Sequence, residues 1–147
     1  MENPIVVAVL AFLGGVGVAA INAALSKAVL KKKPSALASF FAVRQIIENY
    51  SDPYYDFSST LSHIPYHPDY FRRVFMTDMG CTPVQYLTRQ RIQNAKKLLV
   101  LRKQTRLSIR EIAWLSGFRD NLYFSRVFRE QVGMSPTEYV QSVSAKK

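Results

Sequence analysis

Arg72, Arg73, Asn121 and Arg126 carry side chains able to form paired hydrogen bonds with a planar polar edge, a guanidinium with guanine and a carboxamide with adenine. Each lies in or beside one of two near-copies of a single pattern. Tyr70 to Leu87 reads YFRRVFMTDMGCTPVQYL, and Tyr123 to Val140 reads YFSRVFREQVGMSPTEYV, a shift of 53 residues. Tyr70/Tyr123, Phe71/Phe124, Arg73/Arg126, Val74/Val127, Phe75/Phe128, Gly80/Gly133, Pro83/Pro136 and Tyr86/Tyr139 are identical, and Thr82/Ser135 are chemically equivalent. Between the copies, Arg89, Arg91, Lys96, Lys97, Arg102, Lys103, Arg106 and Arg110 occur with no acidic residue from 89 to 110. This chemistry suits recognition of a polyanion, by charge for affinity and by planar groups for its edges. Cys81 is the one cysteine and His63 and His67 the only histidines, which rules out an internal disulfide and a Cys-based zinc site and makes metal chemistry a poor expectation.

These side chains need elements to hold them. Phe124, Val127 and Phe128 recur at helical spacing and pin one helix face to a core, while Ser125, Arg126 and Arg129 turn elsewhere. Gly133 stops that helix at a position suited to a left-handed cap. Ser135, Pro136 and Glu138 then supply an N-cap, a first-turn proline and a capping-box partner for the next helix, and Thr82, Pro83 and Gln85 repeat the arrangement. Upstream of the second copy, Ser108 and Glu111 predict another capping box, opening a short helix with Ile109, Ile112 and Ala113 inward and Gly117 at its end. Two helices joined by the turn Gly117 to Asp120 make a helix-turn-helix. The first copy has a fainter counterpart in Phe57, Leu61 and Ile64 before a turn at Pro65 to Pro68. Pro83 to about Val100 reads as one linking helix with Val84, Leu87, Arg91, Ala95, Leu98 and Leu99 on or near one stripe, where Arg91 fixes the linker to a neighbouring helix. Ala36 to Tyr50 reads as a leading helix. Trp114, Phe118 and Tyr123 fall at core spacing and are expected to pack.

With SIREIAWLSGFRDNLYFSRVFREQVGMSPTEY in the second unit, YFRRVF and GCTPVQYL in the first, and RIQNAKKLL in the linker, residues 46–140 resemble the C-terminal DNA-binding domain of the AraC/XylS family of bacterial transcription regulators. The resemblance implies an all-α fold, with two helix-turn-helix units on a linker helix, binding double-stranded promoter DNA, with RNA polymerase as a partner, no cofactor and no catalysis. Asp69, Arg72 and Arg73 in the first reading helix, and Asn121, Leu122, Ser125 and Arg126 in the second, are the expected base contacts. Lys96, Lys97, Arg102, Lys103, Arg106 and Arg129 are the expected phosphate contacts. Arg73 and Arg126, repeated in both units, could equally pair a phosphate or an internal carboxylate. Successive major grooves lie about 34 Å apart, and a linker of about 18 residues spans about 27 Å by helical rise. Leu61 and Pro65 stand where the family usually has Ala and Gly, and His67 replaces a Ser cap, so the first unit is the more weakly specified. A non-specific architectural DNA binder is the competing reading. A repair enzyme sharing this helical domain is disfavoured, because Cys81 has no partner cysteine.

The N-terminal block differs in kind. No charged residue occurs from Asn3 to Ser26, and Ile5 to Leu25 reads IVVAVLAFLGGVGVAAINAAL. That is long enough to cross a bilayer, since about 20 apolar residues span it, although a buried soluble helix has the same composition. Glu2 in place of a basic start argues against a signal peptide. Lys27, Lys31, Lys32 and Lys33 follow the block and would keep the remainder of the chain on the cytoplasmic side, at the inner face of the membrane. The small residues Ala11, Gly15, Ala19 and Ala23 would permit helix pairing, as would mere composition. The chain thus divides into residues 1–33, a hydrophobic helix with a basic flank, and residues 34–147, the DNA-binding part. The formal charge of +10 on 147 residues places +3 on the former and +7 on the latter, a footprint suited to nucleic acid.

Overall fold

The computed structural model describes residues 34–145, and all regular structure there is helical. Eight helices run in the order α1 (Pro34–Asn49), α2 (Phe57–Leu61), α3 (Pro68–Met79), α4 (Pro83–Val100), α5 (Arg102–Thr105), α6 (Ile109–Leu115), α7 (Asn121–Val132) and α8 (Pro136–Ala145). No helix among the described residues is long and apolar enough to cross a membrane. The apolar stretch 5–25, with its expected span, lies outside the described residues.

The helices form two compact units. The first takes α1 to Glu48 together with residues 57–86, and the second takes residues 49–56 together with the chain from Leu87 onward. In the first, α1 buries Ala38, Ala42, Val43 and Ile46 at the three- and four-residue intervals of one helix face. Phe57, Phe71, Phe75 and Tyr86 are buried as well, with ring centroids 6.2 Å apart for Phe57–Phe71, 5.8 Å for Phe71–Phe75 and 6.1 Å for Phe75–Tyr86. Ser39 is fully buried and satisfies its hydroxyl by donating to Asp78 Oδ2 at 2.8 Å. Burial, with a smaller effect from Cys81, pushes the Tyr86 phenol up to about 12.

The second unit gathers Ile92, Ala95 and Leu99 of α4, Ile112 and Ala113 of α6, Phe118 of the turn, and Phe124, Val127 and Phe128 of α7 into one core. The duplicated sequence is duplicated packing. Phe124–Phe128 and Phe128–Tyr139 lie at 5.6 Å each, the counterparts of Phe71–Phe75 and Phe75–Tyr86. On the linker, Val84 is exposed while Ile92 is buried, so the inward stripe begins one turn later than the apolar spacing suggested.

Arg91 sits on that stripe, and what it meets is a loop rather than a helix. Its Nε donates to the Tyr50 carbonyl at 2.9 Å, and its Nη2 donates to those of Asp52 at 3.1 Å and Tyr55 at 2.9 Å. Gly117 (φ 90°) closes against the same place. A Cβ there would run into the Tyr50 carbonyl and the Arg91 guanidinium, whereas one on Gly133 (φ 84°) would meet nothing. Alanine at Gly133 therefore carries only backbone strain, about 1 kcal/mol. Gly117→Ala adds a steric conflict with groups that are hydrogen-bonded to each other, for a total of about 3 kcal/mol. Urea unfolding of the two variants checks this ranking, and equal losses would contradict it.

Candidate nucleic-acid interface

The second unit is built from local instructions. Ser108 Oγ accepts from the Glu111 amide at 3.2 Å, and Glu111 Oε2 accepts from the Ser108 amide and hydroxyl at 2.7 Å each, so α6 starts with its first donors satisfied. After the turn, Asp120 Oδ1 accepts from the Tyr123 amide at 2.7 Å and caps α7. Buried Phe124, Val127 and Phe128 fix the rotation of α7. Asn121, Leu122, Arg126 and Arg129 consequently stand exposed, and Leu122 keeps 81% of its surface. Hydrophobic side chains seldom remain so bare without use; an apolar group here suits the methyl of thymine.

The expected base contacts of this unit thus share one helix, but not equally. Ser125 is half-buried, and its hydroxyl donates to the Asn121 carbonyl at 2.9 Å, so reading a base would require giving up that bond. The Arg126 guanidinium lies 5.4 Å from the centre of the Tyr123 ring. Among the described residues no carboxylate pairs with Arg126 or Arg73, which disposes of the internal ion pair for both. Trp114 and Tyr123 depart from core packing, retaining 45% and 44% exposure, while Phe118 is buried as expected. Helical spacing placed all three near the core, but α6 is only seven residues long and turns Trp114 outward.

The first unit is the weaker copy. α2 has five residues against seven in α6. His67 caps α3 through Nδ1, accepting from the Asp69 amide at 3.4 Å, against 2.7 Å for the Asp120 cap. Asp69, Arg72 and Arg73 are all exposed on α3, and Arg72 donates to Asp69 Oδ1 at 2.8 Å. Two of the three expected readers therefore engage each other.

Cationic groups lie on the second unit. Lys97, Lys103, Arg106 and Arg129 are exposed, whereas Lys96 is half-buried over the Tyr139 ring at 5.8 Å and Arg102 donates through Nε to the Leu107 carbonyl at 3.0 Å. Arg102, Lys103 and Arg106 line a cleft of about 330 Å³ with Leu107 and Val140. Leu107 also lines a larger cleft of about 900 Å³, with Arg110, Trp114, Arg119, Asn121 and Leu122 among its walls. Arg110 and Arg119 had no place among the expected contacts. The signal for Arg119 was its position immediately before the helix cap. Cys81 is 2% exposed, which keeps its thiol from solvent.

A family model described as a helix-turn-helix domain matches residues 62–142. The arabinose operon regulatory protein of Escherichia coli is 34% identical over 98 residues, 67% of this chain and 32% of that protein. An uncharacterized HTH-type transcriptional regulator of Bacillus subtilis, YisR, is 41% identical over 81 residues, 55% of this chain and 27% of that one. The chain thus spans about a third or less of these relatives. Among solved structures, the C-terminal domain of AraT, a response regulator from Geobacillus stearothermophilus, matches with a TM-score of 0.66 at 27% identity, covering 76% of this chain and 88% of that one. The DNA-binding domain of AdpA in complex with a target DNA matches with a TM-score of 0.61 at 26% identity, covering 79% and 97%.

The capping boxes make the interface sensitive to acid. The Ser108 hydroxyl and then its amide hold the Glu111 carboxyl below the ordinary range, and the Ser135 amide and then its hydroxyl do so for Glu138, with a smaller push from Arg129. A depressed carboxylate pKa contributes stability that is complete above the unfolded value and disappears as pH falls through the folded one. A Glu111→Gln/Glu138→Gln variant should melt a few degrees below the parent at pH 7, and the gap should close as pH drops below the carboxylate range. Melting curves across pH test this; a gap constant with pH would assign the caps no charge dependence.

Proposed function

This chain belongs to the AraC/XylS family of helix-turn-helix regulators, and on that premise we propose that it is a sequence-specific DNA-binding regulator of transcription. The observation that carries the reading is α7. One face is locked by three buried apolar residues and the other offers Asn121, Leu122 and Arg126 outward, beside clefts lined with arginine and lysine. Such a helix enters a major groove by its N-terminal end, where a guanidinium reads guanine, a carboxamide adenine and an aliphatic group the thymine methyl. α3 supplies Asp69, Arg72 and Arg73 for a second groove, so that one chain reads a two-part site. Lys97, Lys103, Arg106 and Arg129 bind phosphates, and Lys96 and Arg102 add to the local positive field while bound internally. AdpA, a global transcriptional factor, has its DNA-binding domain solved on a target DNA, which supports the same mode here.

Promoter DNA as the ligand makes RNA polymerase the natural partner. Residues 5–25 act as the membrane anchor, with the lysines from Lys27 to Lys33 keeping the DNA-binding part at the cytoplasmic face.

Selection of duplexes from a random pool, followed by competition titrations, tests the reading. A selected duplex should outcompete an unrelated one by at least about a thousandfold. Arg126→Ala should cost about tenfold or more on the selected site and relax the preference at one base pair. Lys103→Ala should weaken all duplexes alike and lower the slope of log affinity against log salt by about 0.9. Equal competition by unrelated DNA would reduce the protein to a non-specific architectural binder.

A further inference from the structure

Arg119 belongs to the turn of the second unit, immediately before the cap residue Asp120, and it is exposed. Its guanidinium carbon lies 4.9 Å from the centre of the Tyr54 ring, and that ring meets Trp114 edge-on at 5.8 Å and 85°. Tyr54 comes from the segment between α1 and α2, far earlier in the chain. The Tyr54 amide donates to Asp52 Oδ1 at 2.8 Å, and Arg91 grips carbonyls on both sides of it, at Asp52 and Tyr55. The ring is therefore placed by groups that take no part in either helix-turn-helix.

The surroundings favour an anion. Arg110 and Arg119 both line the larger cleft with Trp114 and Leu122, while its two carboxylates, Glu111 and Asp120, are turned to the amides of Ser108 and Tyr123. What the cleft presents outward is cationic and apolar, the complement of a phosphodiester and its sugar. An arginine laid over a ring keeps its N–H donors, which lie in the guanidinium plane, available at the edge for phosphate oxygens. Part of the entropy of ordering a long side chain is lost before DNA arrives.

We infer that Arg119 is a DNA phosphate contact of the second reading unit and that Tyr54 is its positioning residue, an aromatic platform carried in from outside both helix-turn-helix units. This rests on the DNA-binding reading above. In a helix-turn-helix the recognition helix enters the groove by its N-terminal end, which brings the turn before it to the groove rim where phosphates lie.

The test uses the full chain on a duplex selected by the wild type, with affinity measured across salt concentration. Arg119→Ala should bind selected and unrelated duplexes about fivefold more weakly and lower the salt slope by about 0.9. Tyr54→Ala should lose about threefold, Tyr54→Phe should bind like the parent, and the Tyr54→Ala loss should vanish in an Arg119→Ala background. Melting temperatures guard against unfolding. Unchanged affinity and salt slope in Arg119→Ala would overturn the inference, as would a loss confined to one base pair. An undiminished Tyr54→Ala loss in the Arg119→Ala background would reduce Tyr54 to a structural role and overturn the positioning. A wild type that binds selectively beside an unaffected Arg119→Ala sinks this inference alone; a wild type that selects no duplex sinks the functional reading and the inference with it.

Discussion

The second unit depends on where one guanidinium goes. Arg91 lies among the apolar residues of α4, where a charge is costly unless its donors are used, and it uses them on three carbonyls of the loop from Tyr50 to Tyr55. Its carbon also lies 5.9 Å from the centre of the Phe118 ring. Burial lowers its pKa, and Asp52 leads the opposing influences. An arginine does not escape that penalty by losing its proton at ordinary pH, so the carbonyls must remain in place. Linker helix, loop and turn are fixed by the same group, and Gly117 is the residue that lets them approach.

The two copies of the repeat show what such support is worth. Their aromatic ladders are nearly the same, yet their reading helices are held differently. α7 begins at a short carboxylate cap and follows a seven-residue helix; α3 begins at a long imidazole cap and follows a five-residue one. In the first copy Tyr86 is buried with its hydroxyl unpartnered, while in the second Tyr139 is only partly buried and Lys96 lies over its ring. Identical core residues give identical packing, but the polar residues around them decide how firmly each reading face is presented.

Much of this was legible in the sequence because the instructions are local. Ser108 with Glu111, Ser135 with Glu138, and Thr82 with Gln85 lie three residues apart and form the bonds that their spacing predicts. The linker begins at Pro83 and ends at Val100 for the same reason. Spacing placed Arg91 on the stripe but could not say what it would meet, because the loop it holds is distant in sequence. The Ser125 hydroxyl was misjudged as simply available, since a back-bond to the preceding turn leaves no trace in residue type. Tyr54, Trp114 and Arg119 come together through tertiary structure alone, and no periodicity could have joined them.

Residues 49–56 leave the first unit, complete the second, and are followed by a return to the first at Phe57. The connectivity is therefore interleaved rather than serial. No single cut in the chain separates the two units intact, and a fragment starting at the linker helix would carry α6 and α7 without the loop that Arg91 binds. Shuffling one reading head between proteins would require moving a discontinuous set of residues, so recombination would tend to transfer the pair together, and new specificities would have to arise by exchange of single side chains on the exposed helix faces.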